Sequence, residues 1–272
     1  MSKAISLVAI DLDGTLLTPD GVLSERNEQA IRRAQRAGVC IVLATGKSRS
    51  SAEFILERFE QPCPGVFTQG MTIYDANGDV WRETTHKPEI AAQIIRFAEK
   101  RQLPYLAYAR ERVLTPYENE CRQRLYHQYD EPLAEIVGSV LAYLDEVRLN
   151  KIIVCDPVDD GQVRAALARR LGDRAHVTQA VSQFVEVLPA GASKGAGLHW
   201  LLQKLDVPPQ QVMAIGDGEN DIEMLQIAGL GVAMGNAHPR VKEIADHVVA
   251  GNDEDGVAQA LERFVLKEGD AT

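Results

Sequence analysis

Residues 8–17 read VAIDLDGTLL, an apolar run that ends in two carboxylates two positions apart and then breaks at Gly14-Thr15. In an extended chain side chains alternate, so Asp11 and Asp13 would share a face if strand geometry continued past Asp11. Two like charges that close are costly unless a cation neutralises them or one carboxyl keeps its proton. Asp and Gly are also ordinary turn residues, and Thr15 or Thr18 could simply cap a helix. The chain carries its own control. Asp253-Glu254-Asp255-Gly256 repeats the D-x-D-G pattern, but Gly251-Asn252 separate it from the apolar run Val248-Val249-Ala250. That copy reads as a loop entering a last helix, whereas the first has a strand running straight into the acids, where open α/β sheets bind ligands.

Working outward, residues 5–11 read as a strand, 24–37 as an amphipathic helix capped by Ser24 and ended by Gly38, and 39–44 as a buried strand. A helix over 50–59 follows, stopped by Pro62 and Pro64. The rhythm returns late: a helix from Ser193 to about Leu205, a strand at 212–216, a helix at 219–228, a strand at 231–234, a helix at 238–245 and a strand at 247–250. Near-continuous apolar strands alternating with helices predict an α/β fold, a doubly wound parallel sheet covered on both faces. Between these stretches the texture changes. Helical segments at 88–101, 132–145 and 159–171 interleave with strands at 104–108, 149–155 and 183–188. The expected organisation is a core domain of residues 1–82 plus 190–272 and an inserted α+β domain of residues 83–189.

At 272 residues, with 45% hydrophobic and 25% charged residues, the chain has ample material for such cores. A net charge of -10 argues against a nucleic-acid partner. The first apolar run meets an acid at residue 11, which suits neither a signal peptide nor a membrane span, so no membrane partner and a cytoplasmic location are expected. Cys40, Cys63, Cys121 and Cys155 show no C-x-x-C spacing, and reduced thiols are expected, without zinc or disulfide roles.

Four strand ends carry polar residues. Asp11 and Asp13 follow the first strand and Thr45-Gly46 the second; Lys194 opens a helix after Pro189-Ala190-Gly191-Ala192; Asp217, Asn220 and Asp221 follow VMAIG. A parallel sheet brings its strand ends to one edge, so these groups can converge. Singly, each is ordinary turn or cap chemistry. Together they offer a nucleophile, a hydroxyl donor, a cation and carboxylates for a metal. Hard oxygen donors suit Mg2+, with charge from Asp11, Asp217 and Asp221. A metal would also let an anionic phosphate enter an acidic pocket.

DLDGTLL at 11–17, ATG at 44–46, Lys194 in GASKG and GDGENDIEML at 216–225 resemble, in order, the four motifs of the haloacid dehalogenase superfamily. The long insert, with NKIIVCDP, FVEVLP before GASKG, and AMGNAHPRVKEIADHVV near the end, is similar to the Cof-type phosphatases. The resemblance implies a Rossmann-like core and a large α/β cap inserted between the second and third motifs. It implies that Asp11 is a nucleophile forming an aspartyl-phosphate, and that Asp13 protonates the leaving alcohol and then activates water. Thr45 and Lys194 would bind phosphoryl oxygens, with backbone amides around Leu12 and Gly46. Asp217, Asp11 and the backbone carbonyl of Asp13 would hold magnesium. Asp221 would orient a metal-bound water or Lys194, and Asn220 would reach the phosphate or the substrate side of the pocket.

The expected activity is therefore a magnesium-dependent phosphatase of small phosphate monoesters, such as a sugar phosphate or a related phosphorylated metabolite. A phosphomutase of the same superfamily and a non-enzymatic phospho-accepting switch are the alternatives. Two positions depart from the family's pattern: Lys47 stands where relatives usually have Arg, with Arg49 two further on, and Gln69-Gly70 replaces Asn-Gly. Arg110, Arg112, Tyr117, Tyr126 and His127 are candidate substrate contacts in the insert. The substrate itself and the oligomeric state are open at this level.

Overall fold

The structure, a computed structural model, describes residues 4–129 and 131–266. In chain order its strands are β1 (Leu7–Ile10), β2 (Cys40–Ala44), β3 (Gly65–Phe67), β4 (Thr72–Tyr74), β5 (Val80–Glu83), β6 (Tyr105–Ala109), β7 (Arg112–Thr115), β8 (Glu135–Ile136), β9 (Lys151–Cys155), β10 (Ala175–Val181), β11 (Phe184–Pro189), β12 (Val212–Gly216), β13 (Leu230–Ala233) and β14 (His247–Val248). Its helices are α1 (Glu25–Arg36), α2 (Glu53–Leu56), α3 (Pro88–Lys100), α4 (Glu120–Tyr129), α5 (Gln162–Leu171), α6 (Lys194–Leu205), α7 (Ile222–Ile227), α8 (Pro239–Ile244) and α9 (Gly256–Phe264). The chain divides into two units. The first comprises Met1–Gly46, Ala52–Arg82 and Ser193–Thr272; the second comprises Lys47–Ser51 and Glu83–Ala192.

The first unit is built on an eight-stranded sheet of order β14-β13-β12-β1-β2-β3-β4-β5. From β14 to β3 every neighbour is parallel, and β4 runs antiparallel to β3. Leu7, Val8, Ala9 and Ile10 of β1 are all fully buried, as a strand covered on both faces requires. Helices α1 and α9 pack together, as do α6 and α7, and all join one core with the sheet. In α1 the Ser24 hydroxyl accepts from Asn27 N at 3.2 Å, and acids in the first turn and arginines in the last complement the helix dipole. Its apolar stripe of Ala30, Ile31 and Ala34 is buried. The sheet connections diverge to opposite sides at β1 and β12. Ile10 pairs with Ile215 on one side and Leu43 on the other, so the three strands end level and the residues after them share an edge.

The second unit holds a six-stranded, largely antiparallel sheet of order β10-β11-β9-β6-β7-β8. One face of this sheet, with Tyr105, Ala107, Ile152, Val154, Val185 and Val187, packs against α3 and α5. The opposite face, with Leu106, Ile153, Cys155 and Phe184, packs against Leu125 of α4. Asn150 ties the entry of the chain to this sheet, its side chain donating to Glu83 Oε1 and Thr84 O and accepting from Arg110 N.

Several local expectations are corrected. Residues 132–145 do not form a helix. Pro132 disfavours one, Gly138 takes φ +74°, and Glu135 and Ile136 pair with Leu114 and Thr115, leaving only a tight turn at Val140–Tyr143. The helix expected over 50–59 shrinks to α2, because Ser48 Oγ accepts from Ser51 N and the hydroxyls of Ser48, Ser50 and Ser51 bond one another ahead of it. Cys121 and Cys155 are joined in a disulfide, against the expectation of reduced thiols throughout. They lie 34 residues apart, but α4 sits over the end of β9, which brings them together. Cys40 and Cys63 are free thiols.

Candidate active site

The strand-end edge of the first unit gathers five side chains in direct contact. After Ile10 the chain turns away from strand geometry: Leu16 N donates to Asp11 O and Leu17 N to Leu12 O, closing a wide turn over Leu12–Leu16 with Gly14 at φ +77°. This turn separates the two acids that open the motif. Asp11 is buried beside Ile215, to whose carbonyl its own N–H donates, while Asp13 is exposed. A Cβ on Gly14 would overlap the Asp217 carboxylate, so the turn's glycine is required by close approach as well as by its φ.

Lys194, the first residue of α6, reaches back to the strand ends. Its Nζ donates to Asp11 Oδ1 at 2.6 Å and to Asp221 Oδ1 at 2.7 Å, with the lysine side chain only 1% exposed. Ser193 caps α6 by accepting from Ala196 N at 2.9 Å, which fixes where that lysine begins. Gly70, at φ +87°, lies directly against the Ser193 carbonyl, where a Cβ could not fit. Asp221 Oδ2 accepts from the backbone N–H of Asp217 and Gly218 at 3.0 and 2.9 Å, so both its oxygens are engaged. Thr15 Oγ1 donates to Asp217 Oδ1 at 2.9 Å and lies 3.5 Å from Asp11 Oδ2.

One oxygen from each of Asp11, Asp217 and Asp221 lies within 4.8 Å of the others. Burial, the Asp221 carboxylate and Asp217 hold the Asp11 carboxyl well above its usual range, even though Lys194 pulls the other way. Asp217 is raised by burial and by Asp221, against the hydrogen bond from Thr15. Burial alone would lower the Lys194 ammonium, but Asp11 and Asp221 outweigh it and hold it charged. Three carboxylates face one ammonium, leaving an excess of negative charge that a divalent cation with hard oxygen donors would neutralise. The donor set therefore fits Mg2+.

Other anticipated residues stand around this cluster. Thr45 is fully buried just past β2; its N–H donates to Val66 O and its carbonyl accepts from Gln69 N. Gly46 leaves room for the Gln69 amide, which a Cβ there would meet, and Asn220 Nδ2 donates to Gln69 Oε1 at 3.2 Å. Gln69 thus links two expected site positions, and both Thr68 and Gln69 take left-handed φ values of 51° and 57°. Leu12 is buried in the turn. In the second unit Lys47 Nζ donates to Tyr129 O. Arg110 and Arg112 form ion pairs with Glu83 and Glu135, Tyr117 and Tyr126 are exposed, and His127 packs edge-on against Tyr126. Sequence reasoning missed Thr15, whose position inside the D-G-T turn was the available signal, and the link made by Gln69.

A family profile described as haloacid dehalogenase-like hydrolase matches residues 8–261. A chloroplastic protein of Arabidopsis thaliana named endoribonuclease YBEY is 38% identical over 273 residues, which is 96% of this chain but 47% of that relative, so the chain spans about half its length. The 5-amino-6-(5-phospho-D-ribitylamino)uracil phosphatase YitU of Bacillus subtilis is 30% identical over 95% of this chain and 97% of its own. The crystal structure of a haloacid dehalogenase-like hydrolase from Bacteroides thetaiotaomicron superposes with a TM-score of 0.86 at 29% identity, covering 95% of this chain and 99% of that one.

Proposed function

The chain belongs to the haloacid dehalogenase-like hydrolases, and on that premise we propose that it is a magnesium-dependent phosphatase of small phosphate monoesters acting through an aspartyl-phosphate on Asp11. The observation that carries this reading is the buried Lys194 ammonium held between Asp11 and Asp221, at a strand edge that also presents Asp217. Relatives matched over nearly their whole length are phosphatases, YitU among them. Its ribityl-bearing phosphate ester is one instance of the substrate class proposed here.

In the first step an Asp11 carboxylate oxygen attacks phosphorus, the bond from phosphorus to the ester oxygen breaks, and Asp13 gives its proton to the departing alkoxide. In the second, Asp13 takes a proton from water, the water oxygen attacks the aspartyl-phosphate, and inorganic phosphate leaves with Asp11 restored. Asp13, exposed where Asp11 is buried, is the acid able to exchange protons with incoming water. Lys194 spends two of its three donors on Asp11 and Asp221 and keeps the third for a phosphoryl oxygen. Thr45 and the amides near Leu12 and Gly46 complete the phosphate cradle, and Asn220, steadied by Gln69, borders it. Asp11, Asp217 and the Asp13 carbonyl would hold Mg2+, which supplies charge neutralisation between the carboxylates and the phosphoryl group. Asp221, with both oxygens taken, orients Lys194 and the Asp217–Gly218 backbone.

The test is turnover of p-nitrophenyl phosphate with and without Mg2+. Multiple turnovers that need the metal and vanish in Asp11→Asn support the phosphatase. A single stoichiometric phosphorylation with no release of phosphate would point to a phospho-accepting switch, and activity dependent on a sugar bisphosphate to a mutase.

A further inference from the structure

Between β3 and β4 of the first unit, Thr68, Gln69 and Gly70 are three successive residues in the left-handed region, with φ of 51°, 57° and 87°. A β-branched threonine is an outlier there, and such backbone persists only where its surroundings hold it. The surroundings here are the strand-end site. Gln69 N donates to Thr45 O at 3.1 Å, and Gly70 lies against the Ser193 carbonyl. Held in this way, Gln69 is only 7% exposed although its side chain is a polar amide. Its Oε1 accepts from Asn220 Nδ2 at 3.2 Å. Its Nε2 stands beside Gly46, 2.8 Å from where a Cβ on that glycine would be. Among the described residues no acceptor takes a hydrogen bond from this Nε2.

A buried amide nitrogen carries two hydrogens, and leaving them without an acceptor is costly. The acids of the site do not supply one: Asp221 spends both oxygens on Lys194 and the Asp217–Gly218 backbone, and Asp11 and Asp217 accept from Lys194 and Thr15. The acceptor therefore comes from outside the chain. It arrives between Gly46 and Asn220, the two neighbours of the Gln69 amide, and both of these border the phosphate cradle proposed above. A phosphoryl group, whose oxygens offer lone pairs and no protons when ionised, complements such a donor. We propose that Gln69 is a further substrate-binding residue, its Nε2 donating to a phosphoryl oxygen of the ester. The assignment rests on the phosphatase reading and goes beyond the part of Gln69 in steadying Asn220. A neutral donor to an oxygen that is anionic before and during the reaction holds ground state and transition state alike, so its removal raises KM more than it lowers kcat.

A double-mutant cycle on the full chain separates the two parts. Gln69→Met, similar in length and without the amide, should raise the KM for p-nitrophenyl phosphate and the inhibition constant of inorganic phosphate by about tenfold each, with kcat changed less. The same substitution made in Asn220→Ala should again cost about tenfold, because the donor acts on phosphate directly. An effect that disappears once Asn220 is alanine would show that Gln69 only positions Asn220, and an unchanged KM and inhibition constant would show that Nε2 meets only water; either overturns the assignment while the phosphatase reading stands. Melting temperatures check that each variant folds. If Gln69→Met does not, Gln69→Glu, which keeps an acceptor for Asn220 and loses the donor, replaces it under the same expectation and the same overturning results. If wild type hydrolyses no ester the phosphatase reading falls, and calorimetry with inorganic phosphate and Mg2+ decides the assignment alone: binding weakened by Gln69→Met with Asn220 present and with it replaced sustains it, and equal binding, or none to wild type, overturns it.

Discussion

Thr15 and Asp217, 202 residues apart in sequence, are joined by a 2.9 Å hydrogen bond in which the threonine hydroxyl donates to the carboxylate. The bond crosses from the turn after β1 to the loop after β12 and fixes how Asp217 faces Asp11. Partners that orient a metal-binding carboxylate are worth about 10–100-fold in metal affinity or activity. Thr15→Val, equal in shape, should therefore raise the Mg2+ concentration needed for half-maximal activity by about tenfold or more. A magnesium titration of the rate checks this, and an unchanged midpoint would show that Asp217 is held by other contacts.

Removing the ammonium beneath the acids should expose their mutual repulsion. Lys194→Met leaves Asp11, Asp217 and Asp221 without their cation, and breaking a buried pair costs about 3–5 kcal/mol. In EDTA the variant should melt well below wild type, and added Mg2+ should raise its melting temperature by more than it raises that of wild type. Its kcat should fall by about 100-fold or more even with the metal present. Equal magnesium shifts in the two proteins would argue against a shared charge deficit.

The division of labour proposed for the two motif acids predicts a dependence on leaving group. Asp11→Asn should abolish the phospho-enzyme on every substrate. Asp13→Asn should reduce turnover of alkyl phosphates by about 100-fold and of aryl phosphates far less, because a phenolate departs without a proton. Matched losses on both ester types would refute the acid role given to Asp13.

His86 in the second unit predicts an acid sensitivity separate from the chemistry. Burial lowers its pKa to about 4, although its hydrogen bond with Val187 O opposes the shift. An unfolded chain would protonate this imidazole near pH 6.5, so between about pH 6.5 and 4 the unfolded state binds more protons and stability falls as pH falls. Below about pH 4 both states are protonated and the loss levels off. Urea unfolding of wild type and His86→Gln across this window should show a steeper pH dependence in wild type; parallel curves would mean that His86 is already protonated in the fold.

Three of the four motifs were legible because each stood at the foot of an apolar run, and parallel strands in register must end at one edge, whereas Lys194 opens α6 and follows β11 of the other sheet, so strand register alone does not bring it there. What the sequence concealed was the turn. Alternation put Asp11 and Asp13 on one face, yet Gly14 at φ +77° lets the chain curl, burying one acid and exposing the other. Thr15 looked like a cap because nothing local reveals a partner 202 residues away. In the second unit, α4 was missed since it buries only Leu125, leaving little periodic signal, and residues 132–145 imitate a helix until Gly138 and the pairing of Glu135 with Leu114 are known. The strands β3 and β4, three residues each, are too short for a pattern to declare itself.

Gly70 gives the first unit a property of a machined part. Its α-carbon abuts the Ser193 carbonyl, one residue before the lysine that holds Asp11. The gap there is consequently at its lower limit, and any side chain at position 70 would have to displace the Ser193 carbonyl from which α6 starts. Position 70 thus acts as a mechanical stop that sets where α6, and with it Lys194, begins.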